Sequence, residues 1–278
     1  IVFTACDDDS IFYAKVKTSN GITTVSGIRA GGLERAFFIG LGSVKHLVIN
    51  DTIDSRDFQT MRDEMPNLEV LDLTNATIAA YNGSDGCGGS RVYHYNANEI
   101  PEFAFYNPST SEGKKSLTTI IFPPSIKSIR NYAFNDTGLS GTLNIPASVR
   151  DTIGKNAFSF CPGLTSINLS PAAFIGESAF QSCSNLNGAL VIPDSVFEIS
   201  TWAFAYCEKI SSVSIPGTVN SIGNTTFVNC GGSFTVSAEN TNYSASDGVL
   251  FNADKSTIIR FPYTKSGNYT LPETVGDI

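Results

Sequence analysis

The chain has 278 residues, enough to bury a large core, and a formal net charge of −8. That sign disfavours nucleic acid and anionic lipid as partners, and no apolar run reaches the roughly 18 residues that span a membrane. Two histidines in the whole chain leave little for a multi-histidine metal centre or for histidine-based catalysis.

The first ten residues, IVFTACDDDS, pass from apolar to small residues, then to Cys6 and three aspartates. They resemble the end of a bacterial lipoprotein signal, with Phe3, Thr4 and Ala5 before a cysteine that is acylated after cleavage. The resemblance implies lipidation at Cys6 and an outer-membrane lipoprotein facing outward at the cell surface. The acidic run after Cys6 resembles the surface-export signal of Bacteroidetes lipoproteins. Adjacent carboxylates repel one another and stay solvated, as a tether does, and three neighbours converge poorly on one calcium ion. Residues 11–43 follow as an N-terminal cap, with strands over 11–25 and a short helix within 26–42.

The segments VKHLVIN (44–50) and LEVLDLTN (68–75) repeat the pattern L-x-x-L-x-L at an offset of 24 residues. Between them, Asp54 stands as an N-cap before Phe58, Met61 and Met65 at helical spacing. The stretch 80–98, AYNGSDGCGGSRVYHYNAN, interrupts the next coil as an insertion. Tyr81, Arg91, Tyr93, His94 and Tyr95 concentrate aromatic and hydrogen-bonding groups there. Cys87 lies among glycines and is expected to be exposed.

From residue 99 one phrase recurs: IGKNAFSFC (153–161), IGESAFQSC (175–183), ISTWAFAYC (199–207) and IGNTTFVNC (222–230). Its phenylalanines, Phe105, Phe134, Phe158, Phe180, Phe204 and Phe227, are separated by 29, 24, 22, 24 and 23 residues. Between the phrases, LTTIIFP, GTLNIP, LTSINLSP, GALVIP and ISSVSIP alternate apolar with small polar residues and stop at proline. They read as short strands, ended where proline removes a backbone donor. Self-similarity at this period means a solenoid whose stacked coils share one core. The isoleucine, alanine and phenylalanine of I-x-x-x-A-F are expected to point inward, with the phenylalanines stacked as a ladder. Cys161, Cys183, Cys207 and Cys230 each fall three residues after a ladder phenylalanine. A residue recurring once per coil fills a repeat position, so a column of free buried thiols is expected rather than bridges or a metal site.

These alternating L-x-x-I-x-I-P strands and S-I-x-x-x-A-F-x-x-C phrases resemble the BspA-like leucine-rich repeats of bacterial surface proteins, over roughly residues 99–278. The resemblance implies an α/β repeat solenoid: a right-handed leucine-rich-repeat superhelix with a parallel sheet on one face and irregular or short helical turns on the other. The organisation is then a signal remnant and tether (1–10), a cap (11–43) and a solenoid (44–278) with the insertion at 80–98. DGVLF and STIIRFP resemble the hairpin of a variant coil. Thr226 departs from the pattern by replacing the alanine. Regular helix is expected to be scarce after residue 66.

No G-x-S-x-G, H-E-x-x-H, P-loop or dinucleotide fingerprint occurs, so no enzyme, cofactor or metal site is expected. The outward strand positions, among them Thr142, Asn144, Ser166 and Asn168, are small and lack the aromatic and arginine anchors of hot spots. Candidate ligand contacts are therefore Tyr81, Arg91, Tyr93, His94 and Tyr95 on the insertion, and Trp202 and Tyr206 on a later coil. The resemblance implies a non-enzymatic surface binding protein or adhesin, acting as a monomer on host matrix or epithelial proteins or on other bacterial surfaces. A glycan-binding accessory protein and a structural spacer are the alternatives. The Asp-Ser/Thr-apolar triplets at 9–11, 51–53, 151–153 and 194–196 match a short O-glycosylation pattern of Bacteroides-like bacteria.

Overall fold

The computed structural model describes residues 2–5, 12–37, 40–89, 91–169 and 171–276. Cys6 and its aspartates lie outside the described residues. The chain divides into two compact units, Ile1–Leu139 and Ser140–Ile278, both wound from the same kind of coil.

In the first unit, strands Phe12–Ser19 and Ile22–Ser26 pair antiparallel about Asn20 and Gly21, whose φ angles are 52° and 78°. An Asn-Gly pair adopts this left-handed turn readily and matches the strand twist. Val2–Ala5 pairs antiparallel with the outer edge of that hairpin. Its inner strand then starts a parallel ladder through His46–Ile49, Val70–Asp72 and Thr119–Ile121. Leu47, Leu71 and Ile120 stand in register and are buried, because alternate positions of each strand face the core.

Two helices lie between these strands: α1, Leu33–Ala36, and α2, Ser55–Asp63. The predicted cap is present. Asp54 accepts a hydrogen bond from the Arg56 amide at 2.9 Å, and Asp57 accepts one from the Asp54 amide at 2.8 Å, which closes a capping box. Asp57 also accepts from the amides of Gly31 (2.6 Å) and Leu33 (2.8 Å), so one carboxylate ties the starts of both helices. Phe58, Met61 and Met65 are fully buried.

In the second unit, Gly141–Asn144 pairs in parallel with Leu164–Asn168, and Gly188–Val191 with Ile210–Ile215 and then Ser233–Val236. The expected single sheet has a companion. Two-residue strands at the start of each phrase, Thr152–Ile153, Phe174–Ile175, Glu198–Ile199 and Ser221–Ile222, form a second parallel ladder. No helix follows Asp63 among the described residues. The variant coil folds as predicted, with Val249–Asn252 antiparallel to both Tyr243–Ser246 and Ile258–Arg260.

The phrases themselves pair. The amides of Asn156, Phe158 and Phe160 donate to the carbonyls of Glu177, Ala179 and Gln181, each at 2.8 Å, and those of Ser178, Phe180 and Ser182 repeat this on the next coil. Residues two before and two after the central phenylalanine are left-handed: Asn156, Phe160, Ser178, Ser182, Trp202 and Tyr206 have φ between 52° and 63°. That winding turns alternate N–H groups along the stacking direction. Phe158, Phe180, Phe204 and Phe227 stack with centroids 5.3, 5.4 and 5.9 Å apart and planes within 9°. The first unit carries its own stacked pair, Phe105 and Phe134, at 5.4 Å. Thr226 fits the alanine position because its buried hydroxyl donates to the carbonyl of Ser200 (2.9 Å) or Gly223 (2.8 Å).

Cys161, Cys183, Cys207 and Cys230 are buried free thiols. The geometry shows what they do: Cys183 Sγ donates to the carbonyl of Phe158 at 3.1 Å, and Cys207 Sγ to that of Phe180 at 3.2 Å. Both of these thiols serve a core carbonyl one coil away. Burial pushes Cys183 and Cys207 well above the ordinary thiol range and Cys230 up to about 11.

Candidate functional site

The insertion is a short antiparallel hairpin, with Tyr81 opposite Tyr95, Asn82 opposite His94 and Gly83 opposite Tyr93. Its glycine-rich tip turns back in part: Gly86 and Cys87 are buried while Ser84 and Asp85 are exposed. Cys87, expected to be exposed, is fully buried. Its amide donates to Ser55 Oγ at 3.1 Å and its thiol to the Ser55 carbonyl at 3.0 Å, so the tip folds back on the first residue of α2. Burial raises this thiol to about 12. The glycines make the close approach possible: a Cβ on Gly86 would lie 2.4 Å from Ser55 Oγ, and one on Gly88 2.0 Å from the Tyr93 ring.

Arg62 of α2 fastens the hairpin to the next coil. Its guanidinium grips Asp63 at 2.7 and 2.8 Å, and its Nη1 donates to the carbonyls of Cys87 (2.8 Å) and Phe103 (2.9 Å). Lys114 Nζ in turn donates to the carbonyls of Met65 (2.6 Å) and Arg62 (3.1 Å), at the C-terminal end of the same helix. That placement suits a cation, because the last helical carbonyls lack intrahelical donors. Burial lowers this lysine to about 8.

This frame holds an aromatic cluster. Tyr95 is stacked on Tyr81 at 6.1 Å and on Tyr93 at 5.8 Å, and Tyr93 meets Phe103 edge-on at 6.4 Å and 90°. The centroids of Phe103, Tyr132 and Tyr106 are 5.4, 5.8 and 6.2 Å apart, with interplanar angles of 24° to 30°. In a face-to-face column the outer pair would be about twice as far apart as the inner ones. Near-equal spacing of near-parallel rings, too close to lie side by side in one plane, instead makes an offset-stacked cluster. All three rings are half-buried, as is Tyr93. Glu102 and Asn131, the residues before Phe103 and Tyr132, hydrogen-bond through their side chains. Burial raises the Glu102 carboxyl, against the pull of nearby Arg130.

Of the insertion residues predicted as contacts, Tyr81, Tyr93 and Tyr95 therefore come together. Tyr81 and Tyr95 are buried and support Tyr93, while Arg91 and His94 are exposed. Tyr81 is further held by its hydroxyl, which donates to Asp85 Oδ1 at 2.5 Å; burial raises its pKa to about 12. Trp202 and Tyr206 belong to the second unit, where they stack on each other at 6.2 Å with Tyr206 36% exposed. Phe103, Tyr106 and Tyr132 were not singled out from sequence. Their signal is aromatic side chains two residues before, or one after, a buried ladder phenylalanine.

Among the described residues, no group of three His, Cys, Asp or Glu side chains is placed to hold a metal ion, and no helix is long and apolar enough to cross a membrane. No curated protein matches the chain. Among solved structures, the chain is similar to the pneumococcal vaccine antigen PcpA, with a TM-score of 0.58 and 21% identity over 98% of this chain and 60% of that one. A leucine-rich repeat protein from Eubacterium ventriosum matches at a TM-score of 0.39 and 16% identity, over 99% of this chain and 55% of that one. The chain thus spans less than two thirds of either relative. At the level of sequence, the model of the BspA type leucine rich repeat region matches residues 92–188 and 151–271, more than half of the chain. With the coil, the phenylalanine ladder and the paired phrases all present, the chain belongs to the BspA-type leucine-rich-repeat family.

Proposed function

We propose that the chain is a non-enzymatic binding protein of the bacterial cell surface, an adhesin that recognises macromolecules on host matrix, host epithelium or other bacteria. The aromatic cluster of Tyr93, Phe103, Tyr106 and Tyr132 carries this reading, because half-exposed rings fixed on rigid coils are what binding hot spots are made of. The BspA-type repeats and the likeness to a vaccine antigen support the surface location. An anchor at Cys6 completes it: lipid is attached at the Cys6 thiol, and hydrolysis of the Ala5–Cys6 peptide bond removes Ile1–Ala5 and the strand within it. Uptake of a fatty-acid label that a Cys6→Ser variant fails to take up checks the anchor.

The test of function is saturable binding of the soluble chain to epithelial cells, immobilised matrix glycoproteins and bacterial cells. The folded chain binds at least one of these surfaces and the heat-unfolded chain does not. Equal signals from both would end the reading.

A further inference from the structure

Five of the six coils that carry a ladder phenylalanine place the residue two before it in left-handed backbone, the Phe227 coil being the exception. At Phe103, Tyr132, Asn156, Ser178 and Trp202 the φ angles are 61°, 55°, 52°, 56° and 63°. Asparagine tolerates this conformation best among residues with side chains, and bulky residues tolerate it poorly. Two of the five copies carry small polar residues, as the backbone prefers. Phe103 and Tyr132 do the opposite on neighbouring coils, as Trp202 does in the other unit, and with Tyr106 they form the stacked cluster. None of the three rings is fully buried, so core filling does not account for them. Strain kept at half-exposed aromatic positions points to a ligand.

We infer that the stacked cluster of Phe103, Tyr106 and Tyr132, walled by Tyr93, is a carbohydrate-binding site that takes the flat face of neutral pyranose rings. The inference deepens the surface-binding reading and rests on it. Aromatic faces carry negative quadrupole charge and attract the polarised C–H groups on a sugar's flat face. The exposed parts of three near-parallel rings offer such contacts, and Tyr93, edge-on to Phe103, bounds the cluster on one side. The paired Glu102 and Asn131 flank the two strained rings along the chain and supply the few polar groups that orient a ligand. Glu102 is acidic, which favours neutral sugars over anionic ones.

The experiment titrates the soluble chain with neutral gluco-, galacto- and manno-oligosaccharides by calorimetry, alongside a polyproline peptide as the competing flat ligand. Phe103→Asn and Tyr132→Asn remove rings and keep a residue suited to left-handed backbone; Phe160→Asn, at an exposed aromatic that is also left-handed (φ 56°), is the control in the other unit. At least one oligosaccharide is expected to bind. Both platform variants should weaken it about three- to tenfold, the worth of a stacked ring, with unchanged thermal midpoints and no effect of the control. Hydroxyl-radical footprinting of the unaltered chain should show sugar shielding Phe103, Tyr106 and Tyr132, which does not depend on any variant folding. Absence of sugar binding, shielding elsewhere, or binding of the peptide alone overturns the inference. If Phe103→Asn binds cells as the unaltered chain does, the adhesin reading survives and the platform does not; a chain that binds neither cells nor sugar loses both.

Discussion

Ser182 shows what the paired phrases demand of a single residue. Its φ of 60° costs an L-residue about 1 kcal/mol relative to glycine, and its amide is committed to the Ala205 carbonyl at 2.9 Å. Ser182→Gly should therefore stabilise the chain by about 1 kcal/mol in chemical denaturation; a loss of stability would mean that the serine side chain matters more than the winding. The thiols make a second case at this scale. Cys87, Cys161, Cys183, Cys207 and Cys230 are all buried, and burial both blocks access and suppresses the thiolate. All five should react slowly with a polar thiol reagent in the native state and quickly once unfolded. A fast-reacting Cys87 would show that the insertion tip is not seated on Ser55.

The same logic extends to whole elements. The C-terminal end of α2 is capped by a buried lysine, and the sign of its pH dependence follows from desolvation. Lys114 is lowered to about 8, below the unfolded value of about 10.4. Between those values the unfolded chain binds more protons, so this group's contribution to stability rises with pH. Relative to Lys114→Met, the unaltered chain should gain about 2 kcal/mol between about pH 7.5 and 9.5; a flat difference would place the ammonium in solvent. In the ladder, Phe180→Ala should cost about 3–5 kcal/mol, the range for truncating a packed aromatic, and a thermal midpoint that does not move would contradict the burial. The coils, the ladder and α2 were legible in the sequence because each repeats a side-chain type at a fixed interval. The second sheet was not, since two-residue strands are too short to alternate. Cys87 was misread because its burial comes from Ser55, 32 residues earlier. The platform was missed for a related reason: Phe103 and Tyr132 meet only because the Phe103 amide reaches the Asn131 carbonyl, 3.1 Å away on the next coil.

In the coils of the second unit, the outward strand positions Thr142, Asn144, Ser166 and Asn168 carry no aromatic anchor while Trp202 and Tyr206 stand beside the phrases, which divides labour between two faces of the same coil. Small exposed groups on the strands bond each other, as Thr142 does with Ser166 at 2.7 Å, and leave little reactive surface. Residue type changes from coil to coil at the left-handed turns of the phrase, which is where Trp202, Tyr132 and Phe103 appear. The phrase-to-phrase hydrogen bonds carry a consequence for how such a chain can change in length. In the second unit each coil ends in a row of acceptors that mirrors the row it met on the coil before, so any coil can dock on any other. Excising residues 176–199 joins Ile175 to Ser200 in phase, and the amide of Phe158 then finds the carbonyl of Ala203 in place of that of Ala179. The shortened chain should still melt cooperatively, as followed by circular dichroism, and a featureless melt would show that neighbouring coils are individually matched. If they are interchangeable, gene copying can set how many coils the protein has without new folding information, and the reach of the molecule becomes a quantity that recombination tunes one coil at a time.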